Sequence, residues 1–105
     1  DQVERAWRSM AREAKAQGVP VVFLTPTGAR GVAIGDPEDP LEARATLIRR
    51  LAAEEGVLLA DVWGDWQSEL RGGVRQDSLL SQANHPNRKG HEIAARTLSQ
   101  LFGVK

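Results

Sequence analysis

Cysteine is absent from the 105 residues. Its absence excludes disulfides and thiolate metal sites, and it leaves the redox character of the compartment open. Net charge is missing too, since 14 Lys and Arg balance 14 Asp and Glu. A chain with no positive excess has no electrostatic footing on nucleic acid or on an anionic membrane surface. No apolar run approaches the roughly 20 residues of a membrane span. The opening Asp1-Gln2-Val3-Glu4-Arg5 is charged and helix-like, unlike a secretory leader. Internal repeats, low-complexity tracts and linkers are also lacking. Residues 1–105 are therefore expected to lie within one domain with a modest core.

What is present is an alternation of helical and strand patterns. Val3, Ala6, Trp7, Met10 and Ala14 recur at spacings of three and four, with charges between them. This predicts an amphipathic helix over 2–17 with that stripe turned inward. Gly18 and Pro20 close it. Val21-Val22-Phe23-Leu24 is a short, continuous, β-rich apolar run. Such a run predicts a strand covered on both faces, as in a parallel sheet. Gly28, Gly31 and Gly35, with Pro26, Pro37 and Pro40, make 26–40 a loop. Asp39-Pro40 reads as a cap and a first-turn proline, and Leu41, Leu47, Ile48, Leu51 and Ala52 share one face of the helix that follows. Gly56 closes that helix before a second buried strand, Val57-Leu58-Leu59-Ala60. A short helix over 65–71 is broken by Gly72-Gly73, and 74–86 reads as loop. The last helix runs from about Asn87 to Leu101, with Ile93, Ala94, Leu98 and Leu101 inward.

Strands alternating with helices imply right-handed parallel crossovers and an α/β layer fold. Two strands make too narrow a platform for helices this apolar. The open edge is expected to be filled by a missing N-terminal segment of the same domain or by a swapped copy.

In open α/β sheets, ligands bind beyond the carboxyl ends of the strands. Thr25-Pro26-Thr27, Asp61-Val62-Trp63 and the 77–87 segment converge there. His85 is the side chain in that group best suited to moving protons near neutral pH, and Pro86 and Asn87 fix the direction of its ring. His85, His91 and Asp77 have the atom types of a metal site, but their spacing matches no familiar ligand motif, so no metal is expected. The 28–35 loop lacks the pattern of a phosphate cradle, and no cofactor is implied. Ser78 and Ser81 lie near His85 but are not on a strand-to-helix elbow.

Asn84-His85-Pro86-Asn87 with Gly90, preceded by Gly18-Val19-Pro20-Val21-Val22-Phe23-Leu24-Thr25-Pro26 and by Val57 to Val62, resembles the C-terminal half of the SGNH/GDSL hydrolases. These are esterases, lipases and deacetylases on a flavodoxin-like three-layer α/β fold. The resemblance implies a serine-dependent carboxylic ester hydrolase acting on a small-molecule or carbohydrate ester. His85 would be its general base, and an acid three residues earlier would orient the imidazole. That position holds Gln82, and Asp77 is the nearest upstream carboxylate, so either is the candidate orienting group. Thr25, Trp63 and Asn84 are the candidate substrate-binding residues. The family's Gly-Asp-Ser nucleophile block and its oxyanion-hole blocks have no counterpart here; Gly35-Asp36 is followed by Pro37. These residues alone are thus expected to be inactive. The alternative is a non-catalytic α/β module that binds a partner or carbohydrate.

Overall fold

Asp1 accepts a hydrogen bond from the Glu4 amide at 2.8 Å and so caps the first helix, α1 (Gln2–Ala16). The computed structural model describes residues 1–32 and 34–103. Strand β1 (Val22–Leu24) follows. Asp39 accepts from the Leu41 amide at 2.9 Å, and Pro40 opens helix α2 (Pro40–Glu55). Gly56 ends α2 at φ 65°, a left-handed conformation that glycine adopts without steric cost. Strand β2 (Leu58–Ala60) then pairs with β1 in parallel, with Val22 opposite Leu58, Phe23 opposite Leu59 and Leu24 opposite Ala60. The α/β order and the parallel pair are those the sequence predicts.

Helix α3 (Val62–Arg71) begins earlier than residue 65, because Asp61 is itself the cap and accepts from the Gly64 amide at 3.2 Å. The 74–86 stretch is not a plain loop. It holds a 3₁₀ turn (Gln76–Leu79) and a hairpin of strands β3 (Leu80–Gln82) and β4 (His85–Pro86). Strands this short carry no readable period. Leu79 and Leu80, both buried, pin the turn and hairpin to the core. Helix α4 (Arg88–Leu101) ends the described fold.

The core has two parts. Phe23, Ala11, Ile48, Leu51 and Ala52 form one, with Val21, Val57 and Leu59 around it, so α1 and α2 cover the Phe23–Leu59 face of the sheet. Trp63, Trp66, Ala45, Leu79, Leu80 and Ile93 form the other, beneath the hairpin. Helix α4 packs on β2 and α3. The first helix departs from expectation. Its buried residue is Ala11, whereas Val3, Ala6 and Met10 of the apolar stripe are exposed. Ala11 and Trp7 dock it on Phe23, and ion pairs add to that contact: Arg8 on Glu55 at 2.8 Å and Glu54 at 2.7 Å, Arg12 on Glu55 at 3.0 Å, and Arg50 on Glu4 at 2.8 Å. The Arg12 hydrogen bond foremost, with Arg8 and against the effect of burial, holds the Glu55 carboxyl below its ordinary range.

Candidate active site

The two parallel strands are latched at their carboxyl ends. Thr25 Oγ1 donates to Asp61 Oδ1 at 2.8 Å and accepts from the Trp63 amide at 2.8 Å. Arg49 closes on the same carboxylate as a fork, Nε to Oδ2 at 3.1 Å and Nη2 to Oδ1 at 3.0 Å. Burial pushes the Asp61 carboxyl up, but the Arg49 hydrogen bond and charge, the Thr25 hydroxyl and the Gly64 amide together hold it below the usual carboxylate range. Beside this latch, Glu42 Oε2 accepts from the Trp63 indole N–H at 2.7 Å and from Gln67 Nε2 at 3.1 Å. The Trp66 indole N–H donates to Gln76 Oε1 at 3.0 Å, and Gln76 Nε2 in turn donates to the Val32 carbonyl at 3.3 Å.

This platform carries the hairpin. The Arg30 amide donates to the Ala83 carbonyl at 2.7 Å, tying the loop after β1 to the hairpin turn. Asn87 fixes the other side. Its amide donates to the Leu79 carbonyl at 2.8 Å, its side-chain Nδ2 donates to the Ser78 carbonyl at 2.8 Å, and its Oδ1 caps α4 through the Gly90 amide at 3.1 Å. Gly90 lets α4 come this close, since a Cβ there would strike the Leu79 carbonyl, Pro86 and Trp66. Pairing runs Gln82 to His85 and Leu80 to Pro86, so Ser81 is an extra residue in β3. Its hydroxyl donates to the His85 carbonyl at 3.2 Å.

His85 is exposed on this hairpin, and among the described residues its imidazole has no hydrogen-bond partner. Directly paired residues of an antiparallel ribbon present their side chains on one face. Gln82 therefore shares a face with His85, and Asn84 sits exposed in the turn between them. Asp77 is elsewhere, in the 3₁₀ turn, 3.8 Å from Arg30 Nε in an exposed pair. Among the described residues, no hydrogen bond or ion pair joins Asp77 to His85. Thr25 and Trp63 lie in the interior: the Thr25 hydroxyl serves Asp61 and Trp63, and Trp63 has no accessible surface. Glu42, Arg49 and Gln76 are the supports that sequence reasoning missed. They are distant polar residues on loops and helix faces, with no motif to mark them.

Solved structures match nearly the whole chain. An acetylxylan esterase from Geobacillus stearothermophilus superposes with a TM-score of 0.80 at 22% identity, over 97% of this chain and 46% of that one. An α/β hydrolase enzyme from the metagenome of Lake Arreo, Spain, superposes with a TM-score of 0.75 at 28% identity, over 95% and 45%. The fold is a hydrolase fold. The chain spans about half the length of the hydrolases it matches. Among the matches are catalytic mutants of the esterase in which a serine, a histidine, or an aspartate three positions ahead of that histidine is replaced by alanine. No protein-family model matches the chain, and no curated protein does.

Proposed function

We propose that this chain is the histidine-bearing, C-terminal half of an SGNH-type ester hydrolase. The observation that carries the reading is the presentation of His85. Among the described residues its imidazole has no hydrogen-bond partner, on a hairpin tied by the Ala83 carbonyl to Arg30 in the loop after β1 and anchored by Asn87 and by the close approach of Gly90. The hydrolase fold and the catalytic histidine of the matching esterase support it.

In this reading His85 takes the proton of a serine hydroxyl supplied by the rest of the domain. The serine oxygen attacks the carbonyl carbon of a carboxylic ester, such as an acetylated sugar or short acyl ester. The tetrahedral intermediate collapses, the alkoxy group leaves with the proton returned by His85, and an acyl-enzyme remains. Water then attacks the acyl carbonyl, with His85 again as base, and releases the acid. Gln82, paired with His85 across the hairpin, is the orienting group, a neutral one where the matching esterase has a catalytic aspartate at the same offset. Asn84 beside His85 is placed for contact with substrate. Thr25 and Trp63 contribute through the latch and the core beneath the hairpin.

The test is hydrolysis of p-nitrophenyl acetate by the polypeptide translated from the natural reading frame. His85→Ala is expected to lower turnover at least ~10³-fold, with unchanged melting because the ring has no partner to lose. Turnover within tenfold of the parent would remove His85 from the mechanism. The neutral Gln82 also favours a second reading, a carbohydrate-binding or interaction module that keeps the fold without the reaction. Full-length protein that binds acetylated xylooligosaccharide and leaves its esters intact would select that reading.

A further inference from the structure

The loop after β1 packs on the tryptophan end of the core with no side chain at its tightest point. Gly28 is buried there, and a Cβ on it would strike the Trp66 indole Nε1 and Gln76 Oε1. Gln76 grips the same loop four residues on. An indole N–H only donates and a carbonyl only accepts, so the Gln76 amide has one usable orientation between them. Its Oε1 accepts from Trp66 Nε1, and its Nε2 donates to the Val32 carbonyl. Between Gly28 and Val32 the chain turns, with the Val32 amide donating to the Ala29 carbonyl at 3.2 Å. Within that turn the Arg30 amide donates to the Ala83 carbonyl at 2.7 Å. Among the described residues, this is the backbone hydrogen bond that joins the loop to the hairpin. The exposed Arg30–Asp77 pair beside it, at 3.8 Å, adds little.

His85 depends on this connection more than a partnered residue would. Its imidazole has no hydrogen-bond partner among the described residues, so the ring sits where its backbone puts it. Ala83 lies two residues earlier, in the turn of the hairpin. Strands β3 and β4 are three and two residues long and carry a bulge, so pairing alone holds that turn weakly. The indole that bears on Gly28 also bears on α4, since a Cβ at Gly90 would come within 3.2 Å of Trp66 Cη2. One rigid ring thus limits both the loop that holds the hairpin turn and the helix that follows the hairpin. We infer that Gln76 and Gly28 are positioning residues for His85. They seat the 29–32 turn on Trp66, and the turn carries the hairpin through the Arg30 amide. Displacing a reacting group by about 1 Å can cost about 100-fold in rate, so a loop that slips on the indole is felt at the imidazole. The consequence for turnover rests on the ester-hydrolase reading; the consequence for the hairpin does not.

The experiment uses the polypeptide translated from the natural reading frame and two variants. Gln76→Met keeps the side-chain length and loses both hydrogen bonds, and Gly28→Ala pushes the loop off the indole. In each, the Arg30 amide is expected to exchange with solvent at least ~10-fold faster, and the Cε1–Hε1 signal of His85 is expected to shift in the NMR spectrum. In each, kcat on p-nitrophenyl acetate is expected to fall by about 10- to 100-fold with KM changed by less than about twofold. Thr97→Val is the control. It removes a hydrogen bond to Asp65 between α3 and α4, so it should lower the melting temperature and leave Arg30 exchange, the His85 signal and kcat at parent values. An unchanged Arg30 exchange rate or His85 signal in either variant would overturn the inference. So would a kcat within about threefold of the parent, or an equal loss of kcat in Thr97→Val, which would trace the effect to stability alone. A parent without turnover would refute the ester-hydrolase reading only, and Arg30 exchange with the His85 signal would then decide the positioning.

Discussion

Trp63 and Trp66 have no accessible surface, whereas Met10 is 55% exposed, although all three are large apolar residues on helices that flank the same sheet. At the tryptophan end, each indole N–H has an acceptor, Glu42 or Gln76, and a hairpin and helix close over the rings. Burial there is complete because every polar atom buried along with the rings is paired. At the α1 end, Trp7 and Ala11 pack on Phe23 and ion pairs to α2 grip the polar side, while Met10 is left beside a strand edge that has no partner among the described residues. The two ends obey the same rules. They differ because a hairpin and a helix close over the first, whereas among the described residues no strand pairs with the outer edge of β1 at the second.

Removing the tryptophan is the strongest way to break this contrast. Trp66→Ala is expected to cost about 3–5 kcal/mol in chemical denaturation, since it empties the core beneath the hairpin and leaves Gln76 Oε1 without its donor. A cost under about 1 kcal/mol would mean that the hairpin is held from elsewhere.

Next in size is Gln82, the orienting group on the proposed ester-hydrolase reading, measured by p-nitrophenyl acetate turnover. Gln82→Asp is expected to raise the rate by about tenfold, because a carboxylate facing His85 stabilises the imidazolium that forms. Asp77→Asn should be neutral, as Asp77 pairs with Arg30. The reverse pattern would transfer the role to Asp77.

The latch gives a smaller effect with a pH signature. The Asp61 carboxyl is held below its ordinary value, so its stabilisation is fully present above the unfolded value of about 3.9 and is lost as pH falls through the lower folded value. Asp61→Asn keeps a capping oxygen and loses the charge paired with Arg49. The cost at pH 7 is expected to be no more than about 1 kcal/mol, given the partial exposure of the pair. That cost should shrink in urea titrations near pH 3, and an undiminished gap would show that charge is not its source.

The smallest change is expected at the α1 clamp. Arg12→Ala should move the thermal midpoint by less than about 2 °C, because Arg12 is exposed and Arg8 stays on Glu55. A larger shift would mean that ion pairing, and not the Ala11–Phe23 contact, docks the helix.

Elements whose cause is local were legible in the sequence alone. Asp39-Pro40 and Gly56 bracket α2, Asn87 caps α4, and the two apolar runs are the parallel pair. Caps, glycine conformations and hydrophobic periods act within a few residues, so no distant partner is needed to read them. His85 reads in the sequence as a loop residue ahead of the last helix, whereas the structure sets it in strand β4. Long-range pairing was left to the tertiary structure. The hairpin of Leu80–Gln82 with His85–Pro86 depends on buried leucines and on the distant Arg30 amide, and only it sets Gln82 opposite His85. Thr25 and Trp63 stand at strand ends in sequence, but Asp61, Arg49 and Glu42 draw their polar atoms inward. The stripe on α1 announced a face to be buried; which neighbour covers it depends on a strand edge, and an edge exists only once a sheet has formed.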